Sequence, residues 1–118
     1  MNNSMPTPFR ITPAHLKLLE RLSNADGVSG NEADIRAIVR KEIASFCDEI
    51  KVDAMGNLLA LKHAKTPNPV KVLAAAHMDE VGFMIVDEDT DGIFSFEVVG
   101  GIDERQLLSK TVTVGAEK

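Results

Sequence analysis

The stretch Val72-Leu73-Ala74-Ala75-Ala76 constrains this chain most. Five consecutive apolar residues cannot alternate between a wet and a dry face, so a strand built on them has to be covered on both sides. The run predicts a central strand over 70–76, parallel or mixed, with other layers packed above and below it. Just before it, Lys65-Thr66-Pro67-Asn68-Pro69 is a connection whose prolines forbid ladder bonding. Just after it comes His77-Met78-Asp79-Glu80-Val81-Gly82, which sets a histidine and an aspartate at the strand's carboxyl end. In open α/β sheets that is where ligands bind.

The covering layers are foreshadowed upstream. The first eight or so residues, with Pro6 and Pro8, read as a loose arm. Thr12-Pro13 is a helix start: Thr12 serves as N-cap, and proline follows where its missing N–H costs nothing. Leu16, Leu19 and Leu22 recur at helical spacing until Asn24-Ala25-Asp26-Gly27 ends the element. Ser29-Gly30-Asn31-Glu32 has the spacing of a capping box, and Ile35, Ile38, Val39, Ile43 and Phe46 line one face of a second helix to about Cys47. From Ile50 the period becomes two: Ile50 and Val52, a turn at Met55-Gly56-Asn57, then a strand from Leu58 to Leu61. Two helices followed by strands predict an α/β architecture.

Beyond Gly82 the texture changes. Phe83 to Val86, a turn over Asp87 to Gly92 and Ile93 to Val99 read as a β-hairpin, with a further short strand at Thr111 to Val114 after a charged turn at Asp103 to Arg105. Short strands separated by turns belong to a small β-barrel or sandwich. A boundary therefore falls near Asp79, giving residues 1–79 as part of an α/β domain and 80–118 as the first strands of a small, incomplete β domain.

Composition closes off several functions. The chain has 118 residues, a net charge of -5 and five Phe as its only aromatics. An acidic chain lacks the clustered cations that bind phosphate backbones, and a base-stacking platform needs more aromatic surface, so no nucleic acid is expected. No apolar run approaches the roughly 20 residues that span a bilayer, so no membrane partner is expected either. MNNSMPTPFR lacks a cationic cluster followed by an apolar stretch, so no secretory signal is expected. The single cysteine, Cys47, has no cationic activator beside it and reads as a small core residue; with no internal disulfide possible, a cytoplasmic location is expected.

Few residues could carry chemistry. Neutral imidazole is a common Zn or Co ligand and usually has a carboxylate behind it, which makes His77 with Asp79 the leading pair. His-x-Asp alone is weak, since a histidine and two acids also suit a solvated turn. His15, in a first helical turn, and His63, at a strand end, read as surface residues. Asp87, Glu88, Asp89 and Asp91 look superficially like a calcium loop, but the twelfth position from Asp87 is Val98 and supplies no bidentate carboxylate. Gly27-x-x-Gly30 lacks the Lys and Ser or Thr of a phosphate loop.

Four motifs in order sharpen this reading. The strings GVSGNE, DAMGNLLA, AHMDEVGFMI and VVGGIDERQLLSKTVTV together resemble the dinuclear-metal aminopeptidases of the glutamyl, deblocking and tetrahedral (TET) type, from about Leu16 to Val114. The resemblance implies the N-terminal part of a zinc-peptidase-like α/β sandwich, followed by the start of an inserted small β-barrel dimerisation domain. It implies that His77 binds one of two divalent metals (Zn or Co) and that Asp79 orients and polarises that imidazole; Glu80 receives no catalytic role. The family removes N-terminal residues from peptides, using a water activated by two metals and a glutamate general base. It also implies a homo-oligomer for the complete protein. The general base, the bridging aspartate, the other acidic ligands and the second histidine of that family match no position in these 118 residues. The expectation is a partial metal site and an inactive isolated fragment, with a non-catalytic fragment or pseudoenzyme acting as an interaction or assembly module as the alternative.

Overall fold

The computed structural model describes residues 10–115. The expected N-terminal arm at Pro6 and Pro8 lies outside them. Helix α1 spans Pro13–Ser23 and begins as expected, with Thr12 extended at the N-cap and Pro13 in the first turn. His15 completes the cap: its backbone N–H donates to Thr12 Oγ1, and Thr12 N–H donates to His15 Nδ1 at 3.2 Å. Asn24 stops the helix, its backbone and side-chain N–H groups both donating to the Glu20 carbonyl. Helix α2 spans Ala33–Ile43 and tightens into a 3-10 turn at Ala44–Phe46. Arg21 on α1 reaches Glu42 on α2 at 2.6 Å.

Strands β1 (Glu49–Val52) and β2 (Leu58–Leu61) form an antiparallel hairpin, with Glu49 opposite Leu61 and Val52 opposite Leu58. Its turn is built by Asp53, whose Oδ1 accepts the N–H groups of Met55 and Asn57 and whose Oδ2 accepts the Asn57 amide, each at 2.9 Å. Gly56 sits at φ 85°, a left-handed conformation that a side chain would strain. Arg36 of α2 donates from Nε to the Gly56 carbonyl at 2.7 Å and pairs with Glu32 one helical turn back at 3.3 Å. That guanidinium joins helix to hairpin. Ile35 beside it is 6% exposed and is the one buried apolar residue among those described.

Strands β3 (Gly82–Glu88) and β4 (Phe94–Val99) form a second antiparallel hairpin, longer at its start and tip than the sequence pattern indicates. The register slips between Ile85 and Asp87, leaving Val86 as the bulged residue. Phe83 and Phe96 meet diagonally across it, ring centres 4.9 Å apart and nearly perpendicular. Asp89 closes the turn by accepting the Asp91 and Ile93 N–H groups. The acids of that stretch therefore build a hairpin turn. A 3-10 turn at Glu104–Gln106 follows, capped by Asp103.

Two strand expectations are corrected. Residues 70–76 run without ladder bonding, and Val70, Val72 and Leu73 are among the most exposed apolar residues, Leu73 at 91%. A strand is defined by its neighbours, and no other described segment pairs with this one to complete its backbone bonds. Thr111 to Val114 is likewise unpaired, with Val112 and Val114 exposed. The described residues thus hold two separate two-stranded sheets. The helix and strand content is mixed, as an α/β chain requires. The accessible surface is 10882 Å² and the radius of gyration 19.9 Å. A closed monomer of this mass would show about 6,300 Å² and a radius near about 13.5 Å. The apolar faces are laid out but not closed over one another.

Candidate functional site

The loop between α1 and α2 positions the site. Val28 pairs with Glu80 in a single parallel bridge, and Glu80 N–H donates to the Gly27 carbonyl at 2.7 Å. The approach is close because both strands offer glycine. A Cβ on Gly82 would lie 2.5 Å from Val28 Cγ2, and one on Gly27 would lie 3.2 Å from both Ile35 Cγ2 and the Met78 carbonyl. Residues 27–30 are therefore clamped along 78–82, although about fifty residues separate them in sequence.

This clamp sets Ser29 against Asp79. The Ser29 hydroxyl donates a short hydrogen bond to Asp79 Oδ2. The other carboxylate oxygen, Oδ1, lies 3.2 Å from His77 Nδ1, which is also 3.0 Å from the Asp79 backbone carbonyl. Both neighbours of Nδ1 are acceptors only, so the contact requires the proton on Nδ1 and leaves the lone pair on Nε2. The imidazole is 86% exposed and the Asp79 side chain 43%. The Ser29 hydroxyl, with its own backbone and His77 adding to it, holds the Asp79 carboxyl below the usual carboxylate range.

The expected capping box at 29–32 does not form. Glu32 takes the N-cap position of α2 without a side-chain cap, and its carboxylate instead accepts from Gly30 N–H and Arg36. The hydroxyl that would cap the helix is engaged by Asp79. Ser29 is thus the member of this constellation that sequence reasoning missed. Its signal was present in the GVSGNE string, but Ser-x-x-Glu spacing is also the mark of a helix start.

The other candidates stand apart from this pair. His15 caps α1. His63 closes β2, its N–H on Asp48 and its ring 3.4 Å from Glu49. Cys47 is half-buried and lines a cleft of about 620 Å³ between α2, the β1–β2 turn and residues 74–79, along with Val39, Ile43, Phe46 and Met55. His77 and Asp79 lie at one edge of that cleft. Among the described residues no three His, Cys, Asp or Glu side chains are grouped to hold a metal. A catalytic zinc takes about three protein ligands. The donor set here fits one ligand with the carboxylate behind it.

Comparison with known proteins identifies the family of the chain. The family model for M42 glutamyl aminopeptidase matches residues 56–118. The chain is 35% identical over 103 residues to the lysyl aminopeptidase of Pyrococcus furiosus, covering 86% of this chain and 29% of that one. Among solved structures it is similar to a TET aminopeptidase from the Thaumarchaeota archaeon SCGC AB-539-E09, with a TM-score of 0.72 and 30% identity over 79% of this chain and 26% of that one. A Thermotoga maritima structure described as an endoglucanase also aligns, with a TM-score of 0.68 and 42% identity over 74% of this chain and 28% of that one. The family model and two of these three proteins share one description, aminopeptidase. The chain belongs to the M42 glutamyl aminopeptidase family. It spans less than a third of the length of the relatives it matches. No helix among the described residues is long and apolar enough to cross a membrane.

Proposed function

We propose that this chain is the N-terminal portion of a metal-dependent aminopeptidase acting on peptide substrates, and that it contributes one metal ligand, His77, with Asp79 as its orienting carboxylate. The single observation that carries the reading is the Nδ1 contact: Asp79 holds the proton on Nδ1 and leaves Nε2 as a ligating nitrogen. A family that hydrolyses peptides, matched over more than half the chain, supplies the reaction class.

Two divalent ions, Zn or Co, would supply Lewis acidity toward the scissile carbonyl and a water of lowered pKa. The chain's own task is narrower. His77 would hold one ion through Nε2, and Asp79 would raise the basicity of that nitrogen and fix the ring plane. This reading assigns the general base to none of the described residues, so in it the isolated chain is inactive. In it, residues 1–79 belong to the catalytic domain and 80–118 open an inserted β-barrel domain that pairs subunits of a cytoplasmic homo-oligomer. Glutamyl preference is the family's name, whereas the Pyrococcus relative is named for lysine. The His77–Asp79 pair touches no substrate side chain in this scheme, so N-terminal residue preference rests elsewhere. A second reading, an assembly module without catalysis, is favoured by the large exposed apolar surface.

The test is a chimera in which this chain replaces the matching segment of the Pyrococcus enzyme. The expected result is chelator-sensitive release of N-terminal residues, lost by at least about 100-fold on His77→Ala. A folded chimera that is equally active with and without His77 would sink the proposal, and a folded but inactive one would favour the assembly module.

A further inference from the structure

We infer that Ser29 is a positioning residue for the metal-ligand histidine: its hydroxyl fixes the Asp79 carboxylate so that the opposite oxygen meets His77 Nδ1. The inference rests on the reading of His77 and Asp79 given above and deepens it. Three observations carry it. The Ser29 hydroxyl is donated to Asp79 Oδ2, while Oδ1 faces the imidazole, so the carboxylate bridges two side chains. The alternative use of Ser29, capping α2, is not taken up. The loop bearing Ser29 is held by the Val28–Glu80 bridge and by close glycine packing at 27 and 82, one residue removed from the pair it serves.

The physical need is plain from the exposures. With its side chain 43% exposed, Asp79 has room to rotate about its side-chain torsions, and the 86% exposed imidazole has few packing contacts to define its plane. A carboxylate anchored at one oxygen loses most of that freedom, and its second oxygen becomes a fixed acceptor. Together with the Asp79 carbonyl, 3.0 Å from Nδ1, that fixed oxygen selects the Nδ1–H tautomer by geometry rather than by chance encounter. The order Ser29 to Asp79 to His77 is a relay of orientation, with no proton transferred along it.

The experiment reads the tautomer directly. In the 118-residue chain with ¹⁵N-labelled histidine, at about pH 9 where imidazole is neutral, the His77 nitrogen shifts report the fraction protonated at Nδ1. Separate samples at about pH 7, where free Zn²⁺ stays soluble, are titrated with Zn²⁺ alone, following the Nε2 resonance. Ser29→Ala is expected to move the ratio toward that of an unconstrained imidazole and to raise half-saturating Zn²⁺ about 3- to 10-fold, below the 10- to 100-fold typical of losing a direct outer partner. Asp79→Asn should have the larger effect on both. If Ser29→Ala dislodges the loop, seen as loss of the Glu80 amide signal, the pair Ser29→Thr and Ser29→Val gives the answer with matched shapes. A wild-type ratio in Thr and a shifted one in Val supports the positioning role. Wild-type behaviour in Ala or Val, beside a clear effect of Asp79→Asn, overturns the role of Ser29 while leaving the pair intact. No effect of Asp79→Asn overturns the underlying reading and this inference with it.

Discussion

Two segments converge on His77 and Asp79, and they are held in opposite ways. The loop 27–30 reaches the site from fifty residues away and is fixed by a backbone bridge, a hydroxyl–carboxylate bond and glycine packing. The run 70–76 leads directly into the same residues, is far more apolar, and is bare. Polar bonds satisfy themselves pairwise, so a few groups at the right spacing suffice. Apolar burial needs area on both sides, and a single extended segment supplies neither the ladder nor the layers. A site can therefore have its local geometry set before the sheet that carries it is closed.

The sharpest way to break this contrast is to remove the apolar support that the clamp does have. Ile35→Ala deletes the buried side chain lying over Gly27 and should cost about 2–4 kcal/mol, releasing the 27–30 loop; denaturant unfolding followed at the Glu80 amide would register it. Acid probes the polar side more gently. Asp53 is held below its ordinary value of 3.8 by the Asn57 side chain first, then the Asn57 and other backbone N–H groups. A carboxyl depressed in the folded state contributes stability that is complete well above 3.8 and is lost as pH falls through the lower folded value. The β1–β2 turn, and with it the Gly56 carbonyl that receives Arg36, should loosen only in that acidic window, visible in the Met55 and Asn57 amide shifts. The smallest effect is expected on the bare side. Leu73→Ser should change stability by less than about 0.5 kcal/mol while reducing self-association at high concentration, as sedimentation would reveal. A large destabilisation there would mean that 70–76 is covered in solution.

These same residues explain what was legible beforehand. Thr12-Pro13, the α2 stripe and both hairpins depend on neighbours no further apart than Gly82 and Val99, and local pattern found them. The contact between His77 and Asp79 was legible because the two residues lie only two apart in the sequence. Ser29 escaped because its partner is set by tertiary pairing, and the short-range rule for Ser-x-x-Glu pointed to a cap. The strand at 70–76 was over-read for the converse reason: its apolar pattern states what the segment needs, and the described residues do not provide it. The strand expected at Thr111 to Val114 failed in the same way.

The Val28–Glu80 bridge also sets an order of events. Closing a loop of some fifty residues costs more chain entropy than closing the short turns at Asp53 or Asp89, and that cost falls due before any contact at the site repays it. The two hairpins can form in microseconds from local sequence alone. The junction that brings Ser29 to Asp79 waits for the loop to return, so on this argument both hairpins form before His77 is oriented.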